Sequence, residues 1–505
     1  MSRSIYMPCL ILSVLLMIPW QAHAAGRLRA GDQPPDEYRR LLWNRAPQAP
    51  MVATPVYRTP AGADAEGDAA RPAEQNAIRR YLIFVNDNLY KDIDDLLATY
   101  IADVEAEGRT VELVRVGTCT SGALRNLLIS KYNEADSLEG CYFIGGLSAC
   151  WFRHVEGERT MTFPCELFFM DMDGTWTDTN ADGYIDEHGA GSGDEGPEIY
   201  CGRTVAHQLT YEVGETEVSL MRRYLAKPHA YRLGHISGTG KACIYTDDEW
   251  RWWQDDFIYN CSFAWRDIDS YCEPSETTTS DYMDKLEQPY EFMRVASHAS
   301  WDSQTFFHGD GSKSRYYALV MVQNPPPHLL FYNIYGCSNA RWTVSNCMGV
   351  WYTMNSGPAL GAWGSTKTGG VNNARVFYRR VGEYRCFGYA VKEWFDSFAP
   401  YDDEEIAWTF GMVWLGDPTL TKQHVPPSPF ELNRPDDGAQ FSSPSLLLGW
   451  EPSMPSGLSD TLTYTLIVDD DADFSSPELV VEDINDIDYR IRPDHGLSAV
   501  WQYWK

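Results

Sequence analysis

The sequence predicts an α/β protein: parallel sheets covered by helices, followed by an incomplete all-β segment. Three observations predict it. From Tyr81 onward, short runs rich in β-branched and aromatic residues alternate with stretches whose apolar residues recur at helical spacing, a rhythm that builds βαβ units. Two later runs, Phe292–Ala296 and Leu329–Tyr335, are short and mostly apolar, as strands buried on both faces are. Past the proline-rich stretch Val425-Pro426-Pro427-Ser428-Pro429, short strands succeed one another between turn residues.

The chain has 505 residues, 44% of them hydrophobic and 13% aromatic, enough for a sizeable core. Its formal net charge of -30 argues against a nucleic-acid partner, which needs basic patches, and suits a soluble exported protein that holds divalent cations. Residues Met1 to Ala24 have the form of a secretory signal: Arg3 supplies positive charge, Cys9–Trp20 an apolar core too short to span a bilayer, and Ala22-His23-Ala24 a small-residue cleavage site. A secreted or cell-surface location is expected, without an integral membrane segment. Export permits disulfides. Of twelve cysteines, removal of Cys9 with the signal leaves eleven, so up to ten are expected to pair, with Cys337 as the free thiol. Residues 25–78 are rich in Ala, Pro, Gly, Arg and Asp with no sustained apolar period, and are expected to be a linker or pro-segment.

Along the chain, Tyr81–Val85 is the first strand. Lys91–Glu107 is a helix with Ile93, Leu96, Leu97, Tyr100, Ile101 and Val104 on its apolar side, and the preceding Asn86-Asp87-Asn88 suits a helix cap. Val111–Val116 is a strand, Gly122–Tyr132 a helix, and Cys141–Ile144 and Leu167–Met170 are further strands. Glu215–Ala226 is a helix and Lys241–Tyr245 opens a second run of strands. Asp247 to Asp281 is loop-like, with Trp250, Trp252, Trp253, Cys261 and Cys272; it is expected to be a disulfide-pinned surface insert, with a cleft wall as the alternative. Phe387–Phe398 is a helix.

The chemistry lies between Glu291 and Gly370. One buried strand leads into His298 and the other into Cys337, and in open α/β sheets chemistry sits just past the carboxyl ends of parallel strands. A thiol is only slightly ionised at neutral pH, and an imidazole takes its proton and later returns it to a leaving amine. The backbone N–H groups of Cys337 and Ala299 are candidate donors to an oxyanion, and Gly336 lets the backbone turn before the nucleophile. Alternatives stay open: Cys337 paired with Cys347 or simply buried, and His308 or His328 as its partner. In G-S-T-K-T-G a phosphate-loop reading fails, because Thr366 stands where the second glycine belongs. Ser365, Thr366 and Lys367 are instead expected to line the substrate cleft.

S-H-A-S on one strand end, Y-G-C-S on the other, then G-S-T-K-T-G and W-L-G-D-P-T-L, resemble the gingipain-type cysteine peptidases of the caspase and legumain clan, over roughly Tyr81 to Thr421. The resemblance implies a caspase-like α/β fold in two sub-domains, taken as 79–212 and 213–424, with His298 as general base, Cys337 as nucleophile and a protein or peptide as substrate. It departs from the family at Ala299, where Gly is usual. Asp302 is a possible third member that spacing alone does not assign. An inactive surface adhesin on the same scaffold and a sortase-like transpeptidase are the alternatives.

Two further stretches carry expectations. In Asp171 to Glu198, Asp178, Asn180, Asp182 and Gly183 match the start of a calcium loop, D-x-N-x-D-G, with Tyr184 and Asp186 at the next ligand positions. The twelfth position is Gly189 rather than Glu; Asp186, or Asp171 and Asp173, would complete the shell of a structural calcium ion. No organic cofactor is expected. Residues 429–505, with strands at Leu446–Trp450, Thr463–Val468, Glu478–Val481 and Asp488–Ile491, resemble a fibronectin type III sandwich that is truncated at Lys505. A continuation of the chain past Lys505 is the candidate for cell-surface attachment.

Overall fold

Among the described residues of the computed structural model, eleven strands form one sheet. In chain order they are β1 (Ala53–Arg58), β2 (Arg79–Asn86), β3 (Arg109–Val116), β4 (Leu138–Ile144), β5 (Tyr200–Thr204), β6 (Lys241–Thr246), β7 (Asp267–Tyr271), β8 (Phe292–Ala296), β9 (Phe331–Tyr335), β10 (Gly361–Ser365) and β11 (Met412–Gly416). Across the sheet they run β1-β3-β2-β4-β5-β11-β10-β9-β8-β6-β7. The structure describes residues 53–58, 79–134, 138–370, 373–423, 430–435, 445–453, 462–471, 474–497 and 503–504. The signal segment, most of 25–78 and the 425–429 linker lie outside the described residues.

Two blocks of parallel strands meet at the sheet centre. β3, β2, β4, β5 and β11 share one direction; β10, β9, β8, β6 and β7 share the other, and β10 meets β11 antiparallel. Alternate residues of one strand feed opposite faces. Tyr81, Ile83 and Val85 enter one core, Leu82 and Phe84 the other, and both cores extend across both blocks. This is the caspase-like α/β architecture, and it explains why the strands read as continuous apolar runs.

Helix α1 (Asp87–Ala106) buries Leu89, Ile93, Leu97, Tyr100, Ile101 and Val104, and Asn86 caps it by accepting the Asn88 N–H at 3.0 Å. Helices α2 (Ser121–Tyr132) and α3 (Glu217–Arg232) also lie where the period puts them. The L-G-D-P-T-L block is a brace rather than a site. Buried Asp417 accepts hydrogen bonds from Tyr100 of α1 (2.7 Å), Arg232 of α3 (3.1 Å) and the Thr419 N–H (2.9 Å).

Four expectations are corrected. Leu167–Met170 is not a strand: Leu167–Phe169 is a 3-10 turn, with the Phe169 N–H on Glu166 O, and a short apolar run does not distinguish the two. Asp247 to Asp281 is not a loop but holds a 3-10 turn (Asp248–Trp253), α4 (Gln254–Cys261) and the edge strand β7. Charged Asp267 and Asp269 disguise β7, and edge strands tolerate such residues. Part of the expected linker is β1, antiparallel to β3 with a register shift at Pro55; proline is tolerated because this strand is an edge. Finally, all eleven cysteines from Cys119 to Cys386 are unbridged, and only Cys272 and Cys337 are not buried. The others behave as small core residues.

Beyond the linker, two three-stranded antiparallel sheets share a small core of Leu448, Leu466, Val468 and Ile491.

Candidate active site

Register brings the histidine and the cysteine together. β8 and β9 are parallel neighbours with Ala296 opposite Tyr335, and the Ser297 N–H donates to Tyr335 O at 3.0 Å. His298 and Cys337 each lie two residues past that matched pair. Adjacent strands are about 4.8 Å apart, so both side chains start from neighbouring backbone positions. The approach is tight. A Cβ built on Gly336 would stand 2.7 Å from Ala299 Cβ and 3.1 Å from Ser297 O. Gly336 is therefore required by close approach, not by the turn the sequence suggested; it lies outside the left-handed region. Ser338, just after the cysteine, does adopt φ 58°.

His298 opens a small antiparallel sheet, His298–Ser300, Ser303–Phe307 and Lys313–Tyr317, with Thr305 opposite it. The half-buried His298 side chain is hydrogen-bonded through Nε2 to the Glu249 carboxylate. The Trp250 and Phe307 rings both meet the imidazole edge-to-face, with centroids 4.4 and 5.2 Å away. Glu249 and Trp250 stand on the turn just after β6, so the segment expected to be a surface insert supplies a cleft wall. Asp302 does not face the imidazole; it accepts from Ser300 Oγ at 2.6 Å. Glu249 had one signal in the sequence: T-D-D-E-W comes directly after a strand end on the side where His298 and Cys337 lie. The other histidines are placed elsewhere. His308 bonds Ser312 and Ser314 at a hairpin turn, and His328 is exposed ahead of β9, at its opposite end from Cys337.

The loop after Cys337 is held from three sides. The Ser338 N–H donates to Lys367 O at 2.7 Å and the Ala340 N–H to Ser365 O at 2.9 Å. Asn339, which sequence reasoning missed, donates through Nδ2 to Ser300 O at 2.6 Å and so ties the cysteine loop to the histidine hairpin. Trp342 stacks on Arg203 of β5 at 4.1 Å, and Arg203 makes two bonds to buried Glu166 at 2.9 and 3.1 Å. Cys347 is not a disulfide partner; its buried thiol donates to Asn339 O at 3.2 Å.

Ser365, Thr366 and Lys367 are buried beneath this loop instead of lining an open cleft. Ser365 Oγ donates to Lys367 O at 3.0 Å and Thr366 Oγ1 to Pro164 O at 2.7 Å. The Lys367 ammonium bonds the carbonyls of Ala407 and Thr368. Burial pulls it down to about 7, partly offset by the nearby charge of Cys337.

Residues 74–422, which take in ten of the eleven sheet strands, match the model of peptidase family C25. The chain belongs to this family. It is therefore a cysteine peptidase. Among solved structures, this C25 chain is similar to the Arg-specific cysteine proteinase gingipain R (RgpB), with 14% identity, a TM-score of 0.48, and coverage of 84% of this chain and 93% of that one. It is also similar to the complex of Porphyromonas gingivalis RgpB pro- and mature domains, with 13% identity, a TM-score of 0.49, and coverage of 82% and 93%. No curated protein matches the chain in sequence. Among the described residues, no helix of this C25 chain is long and apolar enough to cross a membrane.

In the acidic stretch of the C25 chain, the carboxylates of the expected calcium loop bond neighbouring groups. Asp178 accepts the N–H groups of Asp182 (3.1 Å) and Gly183 (2.8 Å), Asp182 pairs with Arg153, and Asp186 accepts from Thr179 N and Asn180 Nδ2 (2.8 and 3.2 Å). Arg153 also covers the ring of buried Tyr184 at 4.1 Å. Among the described residues, the acidic group whose ligand atoms all lie within 4.8 Å of one another is Asp171, Asp173 and Glu198. Burial first, then the charges of Asp171 and Asp173, push Glu198 up to about 7. Asp171 is already engaged by Trp176 Nε1 (2.9 Å) and His188 Nε2 (2.7 Å).

Proposed function

We propose that the chain is an exported endopeptidase of gingipain type, in which Cys337 is the nucleophile, His298 the general base and Glu249 the group that orients and stabilises the imidazolium. The supporting observation is the register of β8 and β9, which matches the two residues at adjacent strand ends, with the Glu249 carboxylate on Nε2 of the ring. His298 takes the thiol proton. The thiolate attacks the scissile carbonyl, and the N–H groups of Cys337 and Ala299 receive the oxyanion. Collapse breaks the C–N bond, and His298 protonates the departing amine. Water then adds to the thioester, giving up a proton to His298, and releases the acid and the thiol. Ala299 keeps the backbone donor that a glycine would supply.

A peptide-based electrophile tests this. Mass spectrometry is expected to find the label on Cys337 alone, and to lose it in His298→Ala; an unlabelled Cys337 beside another labelled thiol would remove the assignment. Product analysis with added amines separates hydrolysis from transfer, since only a transpeptidase joins the acyl group to the amine.

The acidic loop suits one structural calcium ion held by Asp178, Asn180, Asp182 and Asp186 with the Tyr184 carbonyl. Its D-x-N-x-D-G turn supports this, with Ala181 and Gly183 at φ 58° and 93° and the Gly183 N–H on Asp178. Loading draws Asp182 away from Arg153. Calcium at about 100 times its Kd raises stability by about 2.7 kcal/mol. A chelator is therefore expected to lower Tm by several degrees; an unchanged Tm together with no metal in elemental analysis would exclude the ion. The signal-like segment Met1–Ala24 supports export, and the two small C-terminal sheets suit a fibronectin type III-like module.

A further inference from the structure

The turn that carries Glu249 and Trp250 begins at Asp247, and Asp247 is fully buried. Its N–H donates to Ala296 O at 2.8 Å, which extends the β6–β8 pairing to the edge of the site. Its carbonyl accepts the Trp250 N–H at 2.9 Å and closes the turn. Its carboxyl Oδ1 accepts the Phe307 N–H at 2.8 Å, on the hairpin strand whose Thr305 lies opposite His298. Oδ2 is buried without a hydrogen-bond partner. One side chain thus joins the two pieces of backbone that meet at the imidazole, and nothing in the proposed reaction uses it directly.

We infer that Asp247 is a positioning residue for His298: its carboxyl ties the turn that delivers Glu249 and Trp250 to the hairpin that carries the histidine. The inference rests on the Cys337–His298 reading. The groups that act on Asp247 are Asp248 and Glu249 on its own turn, Tyr245 on β6 and the Phe307 N–H from the hairpin; His298 bonds Glu249, and His308 and Arg251 act on Asp248. Burial, then the charges of Asp248 and Glu249, raise Asp247 to about 8, so the neutral acid is the form present at neutral pH. The Phe307 N–H bonds either form and by itself favours the charged one, but burial outweighs it. Ionisation above that pH adds a charge beside Glu249 and loosens the turn.

The test compares Asp247→Asn and Asp247→Ala with wild type on a fluorogenic peptide substrate, with folding checked by circular dichroism. Small misplacements at a reacting centre cost up to about 100-fold. Asp247→Ala is expected to lose about 10- to 100-fold in kcat with KM within about twofold. Asp247→Asn keeps the neutral acceptor and is expected to lose at most about threefold at pH 7. Wild type is expected to lose part of its kcat as pH rises through about 8, and Asp247→Asn is expected to lack that loss. A folded Asp247→Ala with unchanged kcat would overturn the inference, as would an Asp247→Asn that loses as much as the alanine variant or keeps the wild-type pH profile. If the alanine variant does not fold, the asparagine profile decides. His298→Ala is run in parallel: full activity there sinks the Cys–His reading itself, whereas an inactive His298→Ala beside a fully active Asp247→Ala sinks the positioning role alone.

Discussion

Cys337→Ala is expected to lose about four orders of magnitude or more in kcat/KM while keeping the wild-type fold. The thiol is half-buried and unbridged, and it is the β8–β9 register, not packing around the sulfur, that brings it to His298. Removing it deletes the covalent step and little else. Cys337→Ser is expected to fall nearly as far, because a hydroxyl holds its proton far more tightly than a thiol of pKa ~8.5 and is scarcely ionised by an imidazole of pKa ~6.5. His298→Ala is expected to lose about 1,000-fold or more, and the double variant no more than the worse single, since the two act as one unit. Glu249→Gln keeps a hydrogen-bonding group on Nε2 but removes the charge that stabilises the imidazolium, and is expected to lose about 10- to 100-fold. Initial rates with active-site titration check the series. Strictly additive losses in the double variant would show that the two residues work in separate steps.

Gly336→Ala is the second large effect. The added methyl meets Ala299 Cβ at 2.7 Å and Ser297 O at 3.1 Å, and neither neighbour yields easily: one is a backbone carbonyl and the other a Cβ fixed to backbone. Strand ends must part, and the segment that moves carries the nucleophile on one side and the base on the other. A displacement of that kind is expected to cost about 100-fold in kcat, along with about 1–3 kcal/mol of stability from overpacking. The companion variant Ala299→Gly removes the nearer clash. Gly336→Ala/Ala299→Gly is therefore expected to recover much of the activity, and a double-mutant cycle on kcat and Tm reads the coupling. A cycle that closes additively would mean that residues 299 and 336 do not limit each other's approach.

Much of the fold was legible because its signals are local. A parallel strand buried on both faces must be apolar along its length, so β2, β3, β8 and β9 announce themselves. The apolar stripe of α1 repeats every 3.6 residues whatever it packs against. The failures share a cause as well. Leu167–Phe169 and β7 are too short or too polar for periodicity to speak, and β1 sits in a segment whose composition suggests a linker. The paired cysteines failed differently. Parity and export say that bonding is permitted, whereas tertiary packing disperses the thiols through two cores.

By itself the sequence determined the class of fold, the two strand ends that carry His298 and Cys337, and the family blocks that mark a cysteine peptidase. Each of these is written in contiguous residues. Only the tertiary structure decided that Glu249 and not Asp302 faces the imidazole, that Asn339 ties the two catalytic loops, that Ser365 to Lys367 form a buried floor, and that Asp171, Asp173 and Glu198 converge while Asp182 is taken by Arg153. These depend on strand order, register and close packing between segments far apart in the chain, and such contacts leave no local period or composition to read.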